Sequence, residues 1–391
     1  MQGFSSNAGD NKSYFAPLRL CVEKFLILQM NKFVRNLLTE WRKLKLPFEG
    51  ETILVAVSGG ADSASLAIAL HELQKAQKLK LNFVIGHYNH NLRGEENKKD
   101  AEFVEDLAKI LNFQFIGGIQ ALTSNLKNQK GNLEQLARNA RYKFLEKTAL
   151  SINADAVLTA HTLNDQAETF LLRLIRGSGM DGLGSMKSIS EIPNSNFQIS
   201  NFKSESFDLK SKIQNPKSKI PLVRPFLSWA KREDTVNFCL QNNIEFRQDA
   251  MNDDLDFSRV RVRQELIPLL NSFNPKIVEN ISNSTFLLQQ DVDELNSEAK
   301  KLLEKAKCES EKIIKYKYLM ESSKSLRQRA LRLWILENNF NLRQIESAHI
   351  EAIESLIFSR KSGRNIELPN GKIIIKNGGK LFFEISKVEK R

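Results

Sequence analysis

An apolar run, Ile53-Leu54-Val55-Ala56-Val57, leads directly into Ser58-Gly59-Gly60-Ala61-Asp62-Ser63, and a helical apolar pattern follows from Ala64 to about Lys75. This order predicts a buried strand, a tight glycine turn and a helix N-terminus. Paired glycines let the backbone turn sharply and approach a ligand closely. The first amides of the helix then point out of the turn, unpaired and at the positive end of its dipole. Ser58 and Ser63 add hydroxyl donors to that nest. Such a turn is built to hold a phosphate, although an ordinary strand-to-helix turn capped by its Asp and Ser would use the same residues.

The rest of the chain repeats the pattern. Leu81 to His87 reads as a strand, Asp100 to Leu111 as a helix, Phe113 to Ile116 as a strand, Asn132 to Leu150 as a helix, and Ala156 to Ala160 as another buried strand. Alternation of this kind predicts a parallel sheet with right-handed crossovers. Ligands then gather at the carboxyl ends of the strands, so the glycine turn, His87 and His161 should share one rim. Ser188 to Lys219 is polar, rich in Ser, Asn and Lys, and without sustained periodicity, which predicts a long loop contributing little to a core. From Trp229 the pattern is mainly helical, with stretches through Leu266–Leu270, Ile277 to about Lys307, Ser325–Asn338 and Leu342–Phe358. Arg364 to Ser386 alternates, with turns at Asn370-Gly371 and Gly378-Gly379, as a small β unit.

With 391 residues the chain has room for two or three cores, and its formal charge of +12 favours a polyanionic partner. The basic residues Lys312, Lys315, Lys317, Arg327, Arg329 and Arg332 are expected to contact phosphates. Cys21, Cys239 and Cys308 are far apart, which argues for a reducing compartment and against a zinc or disulfide scaffold. No apolar run approaches the length of a membrane span. The expected setting is the cytoplasm, with an organelle such as a plastid left open. Residues 1–32 read as an extension ahead of an amphipathic helix carrying Phe33, Leu37, Leu38 and Trp41, and Met30 is the expected native start.

The loop lacks the Gly-Lys-Ser/Thr ending of a Walker A sequence and matches the Ser-Gly-Gly-x-Asp-Ser signature of the PP-loop ATP pyrophosphatases. Further blocks follow: His87-Tyr88-Asn89-His90-Asn91-Leu92-Arg93 with Asp100; Gly131 to Arg138 with Arg141-Tyr142; Thr159-Ala160-His161 through Asp165 and Glu168-Thr169; Leu171 to Gly179 with Arg173 and Arg176; Arg224-Pro225-Phe226; and Asp249 to Pro268. Together they resemble the tRNA(Ile)-lysidine synthetases from about Phe33 to the end, apart from the polar segment. Two positions depart from that family's pattern. Thr162 stands where a second His is common, and Val260 stands where an Asn is usual.

The resemblance implies an α/β PP-loop domain of the adenine nucleotide α-hydrolase kind, followed by a mainly helical tRNA-binding region with a small β unit. The expected division is residues 33–187 for the PP-loop domain, 188–219 for the insertion, 220–275 for a junction and 276–391 for the C-terminal domain. It implies a carbon–nitrogen ligase. ATP would adenylate the wobble cytidine of a CAU-anticodon tRNA(Ile), and L-lysine would displace AMP to give lysidine, changing the codon read from AUG to AUA. Pyrophosphate is the other product. Ser58, Gly59, Gly60, Ala61, Asp62 and Ser63 would bind ATP, with Asp62 near a Mg²⁺ that offsets phosphate charge. Asp62, Arg138, His161, Asp165 and Glu168 are the expected catalytic set. His87, Asn89, His90, Arg93, Glu134, Arg141, Arg173, Arg176, Arg259, Arg261 and Arg263 are the expected tRNA and lysine contacts. No protein partner is implied, and a homodimer is left open.

Plainer readings stand beside these. Glu134 and Arg138 form an i,i+4 pair, and Asp165 and Glu168 have spacing that suits a helix cap. His87 and His90 are of a metal-ligating type, but no acid or Cys completes a site. A tRNA cytidine thiolase is the nearest rival activity, though those usually carry CxxC motifs. Beyond it stand a small-molecule amide synthetase and a non-catalytic nucleotide-sensing or tRNA-binding module.

Overall fold

The computed structural model describes residues 30–89, 95–119, 130–184, 186–192, 220–247, 258–308, 310–339, 342, 344–369 and 371–385. They fall into two compact units. One holds described residues 30–172, 186–192 and 220–282, and the other holds 173–184 and 283–385. His90, Arg93, the first 29 residues and the polar segment from 193 to 219 lie outside the described residues, as does the Glu134 side chain.

The first unit is built on a six-stranded sheet. Its strands are β1 (Glu49–Ala56), β2 (Lys80–Asn89), β3 (Gln114–Ile119), β4 (Ala156–Leu158), β5 (Ile189–Glu191) and β6 (Pro221–Val223), in the order β3-β2-β1-β4-β6-β5. All neighbours are parallel except β5, which runs antiparallel to β6. The alternating strands and helices therefore give the parallel sheet that the sequence predicts. Chain order runs outward from β1 to β3, then returns to the other side of β1 with β4. This switch opens a crevice at the carboxyl ends of β1 and β4, where ligands of such sheets bind.

Helix α1 (Lys32–Lys43) begins at Asn31, whose side chain accepts from the Phe33 amide at 2.8 Å. It buries Phe33, Val34, Leu37, Leu38 and Trp41, a stripe at helical spacing. Phe33 stacks on Phe238 with ring centroids 4.5 Å apart, and the Trp41 indole donates to the Pro47 carbonyl at 2.7 Å. Helix α2 (Ala61–Lys75) buries every residue from Ser63 to Leu70. A helix apolar all round belongs between layers, and this one packs in the same core as β1, β2 and α1.

The polar segment differs from expectation at its first residues. Ile189–Glu191 form the edge strand β5 and Ile192 is buried in the core beside Leu54, Tyr142 and Leu222. Three residues are too few to show a period, so neither β5 nor β6 could be read from hydropathy.

Helix α10 (Ile277–Ala306) begins in the first unit and runs on into the second, which holds a four-stranded antiparallel sheet, β7-β10-β9-β8, made of β7 (Ile313–Lys315), β8 (Asn365–Leu368), β9 (Lys372–Asn377) and β10 (Lys380–Ile385). Trp334, Leu331, Ile353, Ile374 and Leu381 fill its core. Among the described residues no helix is long and apolar enough to cross a membrane.

The basic run in this unit is not one solvated face. Lys312, Lys315 and Lys317 are exposed, but Arg327 is buried and ion-paired with Glu354 at 2.6 Å. It also donates to the Leu319 and Ser322 carbonyls. Arg329 is likewise engaged, with Asp181 at 2.6 Å and Asn296 at 2.8 Å. The expectation that Arg327 contacts phosphate is corrected: its charge is used inside the fold. Arg327→Met leaves the Glu354 carboxylate without its charged partner, with only the Gln328 amide at 2.8 Å, and should cost about 3 kcal/mol. Urea denaturation should show Arg327→Met with Glu354→Leu recovering much of that loss. Equal stability of the Arg327→Met protein and wild type would contradict the assignment.

Candidate active site

The turn after β1 has the geometry its sequence requires. Gly59 adopts φ +100°, a region open to glycine, and α2 starts at Gly60 with no side chain capping it. Ser63 Oγ accepts from the Ser58 amide at 3.1 Å and donates to the Gly60 carbonyl at 3.0 Å, so the serines close the loop on itself. The Arg247 amide donates to the Gly59 carbonyl, and its guanidinium pairs with Asp100 at 3.0 Å. His87, buried at the end of β2, donates from Nδ1 to the Val57 carbonyl at 2.9 Å, and burial lowers its pKa. Asn89 is buried on the same strand.

Across the crevice, β4 ends at Leu158 and the chain passes Thr159 and His161 into helix α5 (Leu163–Ile175). His161 Nδ1 lies 3.0 Å from the Thr159 hydroxyl. Burial drives its pKa well below the usual value; the Asp165 carboxylate opposes this, but nearby Arg224, Arg141 and Arg138 push the same way as burial, so the ring is neutral at pH 7. Asp165 Oδ2 accepts from the Thr162 amide at 2.8 Å and from its hydroxyl at 3.0 Å. The capping role is therefore real, and Thr162 serves it where the family's second His would stand. The other oxygen, Oδ1, accepts from the Arg232 guanidinium at 3.3 Å. Burial alone would raise the Asp165 pKa, but Arg232, the Thr162 amide and Arg259 outweigh it and hold the carboxyl below its usual range.

Glu168 has no exposed area. Arg263 grips it at 2.8 Å and 3.1 Å, Arg232 approaches at 3.2 Å and Arg259 at 3.6 Å. Arg259 and Arg263 come from α8 (Ser258–Arg261) and the π-turn after it, Val262–Leu266. That turn packs Val262 and Leu266 against Leu163, Ala167 and Leu171 of α5. Val260, in the position usually held by Asn, is buried.

Arg232 ties the two sides together. It opens α6 (Arg232–Gln241) and reaches Asp165 at 3.3 Å, Glu168 at 3.2 Å and Asp62 at 3.7 Å. Asp62 also accepts from the Thr235 hydroxyl. Burial and the neighbouring Asp165 carboxylate raise Asp62 from 3.8 to about 6. Neither Arg232 nor Thr235 stood out in the sequence. One signal was available: a cation at the first position of a helix opposes the dipole and needs a nearby carboxylate to explain it.

The remaining expected residues divide. Arg138 and Arg141 lie over the buried Tyr142 ring, with guanidinium carbons 4.9 and 5.4 Å from its centroid. Arg261 points elsewhere, pairing with Glu265 at 3.2 Å on an exposed face. Arg173 donates to the Gly182 carbonyl within the second unit, and Arg176 is exposed. Among the described residues no group of three or more His, Cys, Asp or Glu side chains is arranged to hold a metal ion.

The PP-loop domain family matches residues 28–270, and the TilS substrate binding domain family matches residues 317–381. A tRNA(Ile)-lysidine synthase of a Synechocystis species is 30% identical over 79% of this chain and 83% of its own length. The chain belongs to the tRNA(Ile)-lysidine synthase family. Another member, the tRNA(Ile)-lysidine synthase of Geobacter sulfurreducens, is 29% identical over 85% of this chain, which spans 65% of that protein's length. A U34-tRNA thiolase, NcsA from Methanococcus maripaludis, shares the fold at 14% identity, with a TM-score of 0.51 over 66% of this chain and 80% of its own. The tRNA(Ile)-lysidine synthase family thus accounts for the glycine turn and for the expected fold class.

The raised Asp62 pKa has a defined sign. Its protonated form contributes stability that is fully present below the unfolded value near 3.8 and is lost as pH rises through about 6. Asp62→Asn should remove that slope. Denaturation curves from pH 4 to 7 check this, and parallel pH profiles for the two proteins would contradict it.

Proposed function

We propose that this protein is an ATP-dependent ligase that joins L-lysine to the wobble cytidine of a tRNA(Ile) with a CAU anticodon. The observation that carries the reading is the span of Arg232. One guanidinium touches both the carboxylate of the phosphate loop and the two carboxylates of α5. A phosphate held at the loop and an amine held at α5 would therefore be neighbours, as a two-step activation and transfer requires.

In the first step the cytidine C2 oxygen attacks the α-phosphate, and the bond to pyrophosphate breaks. The amides after Gly60, with Ser58 and Ser63, hold the phosphates, and Arg138 and Arg141 offset the charge that develops. Asp62, a single carboxylate beside a phosphate site, suits Mg²⁺, which binds through one or two carboxylates and completes its shell with phosphate oxygens and water. When bound, the ion supplies charge neutralisation to the phosphates. In the second step the lysine ε-amine attacks C2 and AMP leaves with the oxygen.

Lysine arrives as a cation, because a free amine with a pKa near 10.4 is almost wholly protonated at pH 7. Asp165 Oδ1 and Glu168 would hold its amines. Neutral His161, next to Asp165, is able to accept a proton near the cytosine. The exposed Lys312, Lys315 and Lys317 remain as tRNA phosphate contacts in the second unit. A thiolase reading asks for reactive sulfur, and Cys239 is unsuited: it is buried and its thiol is pushed up to about 12.

Asp165→Asn separates the two steps. Its amide oxygen can still cap α5, but the charge facing the amine is gone. The variant should adenylate tRNA at close to the wild-type rate while its lysine KM rises roughly 10- to 100-fold, the loss of a charge-assisted hydrogen bond. Adenylated tRNA and lysidine are measured separately by nucleoside mass spectrometry. Normal lysine saturation would refute the assignment.

A further inference from the structure

Asp62, Asp165 and Glu168 face three guanidiniums, those of Arg232, Arg259 and Arg263. Among the described residues, these three carboxylates and the three guanidiniums in direct contact with them balance in formal charge before any substrate enters. Bringing an ammonium into a balanced, largely buried cluster leaves an excess positive charge in a medium that screens it poorly. One resident cation must leave for an amine to be held well.

The three arginines are not equally fixed. Arg263 makes a forked contact with Glu168 at 2.8 and 3.1 Å, and Arg259 adds a hydrogen bond to the Thr169 hydroxyl at 3.1 Å. Arg232 instead spreads single contacts of 3.2, 3.3 and 3.7 Å over three separate carboxylates, with no forked contact to any one of them. Its backbone is anchored separately, through the amide donated to Asn164 Oδ1 at 2.9 Å. The start of α6 is therefore held independently of the side chain's contacts. Its place at the first helical position, against the dipole, is explained by the carboxylates alone.

We propose that Arg232 is a resident cation that fills the amine seat between Asp165 and Glu168 and is exchanged for the amino-acid substrate. The proposal rests on the reading of those two carboxylates as the lysine site. Exchange keeps the cluster balanced: one guanidinium leaves and one ammonium enters. It also protects the carboxylates from each other in the empty enzyme, since Asp62 and Asp165 would repel without it. The consequence is a lysine affinity reduced by the fraction of time that Arg232 is seated.

The wild-type protein provides the first test. Arginine modification by phenylglyoxal, followed peptide by peptide by mass spectrometry, should accelerate several-fold at Arg232 when lysine is added at saturation. Norleucine, which lacks the ε-amine, should have no such effect. Unchanged or reduced reactivity at Arg232 overturns the proposal, the latter because Arg232 would then be holding the substrate rather than yielding to it. The second test is Arg232→Met, whose lysine KM should fall, by about tenfold if Arg232 is seated nine-tenths of the time. A raised KM in folded protein again overturns it. Ethylguanidinium should compete with lysine in Arg232→Ala by refilling the seat. Asp165→Asn separates the two ideas. A raised lysine KM there with no change at Arg232 removes only the exchange, whereas normal lysine saturation removes the amine site itself.

Discussion

Glu168 carries a formal charge with no exposed area, and three arginines from two separate chain segments converge on it. A carboxylate removed from water is tolerated only when paired and hydrogen-bonded, so this residue dictates where Arg232, Arg259 and Arg263 must be. The apolar contacts beneath it do the holding. Leu163, Ala167 and Leu171 on α5 pack with Val262 and Ile267, which fixes the arginine segment against the helix. The ionic layer then decides which face of each element looks into the crevice. Buried ion pairs contribute little net stability, and specification of geometry is the better account of their presence here.

Sheet topology places this layer beside the glycine turn. Parallel strands that run outward from β1 and return with β4 leave their two following loops facing one crevice. The amide of Leu163 donates to the Ala230 carbonyl, and the Arg232 amide donates to Asn164. The starts of α5 and α6 are therefore fastened to each other, and Arg232 emerges at their junction. Thr235, one turn later, reaches Asp62 in the loop. The glycine-turn side and the α5 side are joined by one short helix that no motif marks.

Much of this was legible in the sequence because the informative residues were local. Ile53 to Ser63 carries strand, turn and helix start in order, and Thr159 to Glu168 carries a strand end and a capped helix. Arg259 and Arg263 were recognisable as cations, but their partner was not, because Glu168 lies more than ninety positions away. Arg232 escaped for the same reason. A Lys-Arg pair before an amphipathic stretch looks like a solvated helix start until the facing carboxylates are known. Arg327 was misread although its position gave it away. It precedes Ala330, Leu331 and Trp334 at the spacings of one helix face, and all three are buried. A charge on an apolar stripe asks for a buried partner, here Glu354.

The central claim is that the Glu168 carboxylate and its arginines act as one unit in organising the rim. A double-mutant cycle on stability with Glu168→Gln and Arg263→Met tests it directly, using urea denaturation at pH 7. The account predicts strong non-additivity, with each single change destabilising and a coupling energy of about 1–3 kcal/mol, because Glu168→Gln removes the carboxylate that Arg263 forks and Arg263→Met removes the tightest of the three cations on Glu168. Effects that add to within about 0.5 kcal/mol would show that the two residues act independently and that the rim is organised by something else.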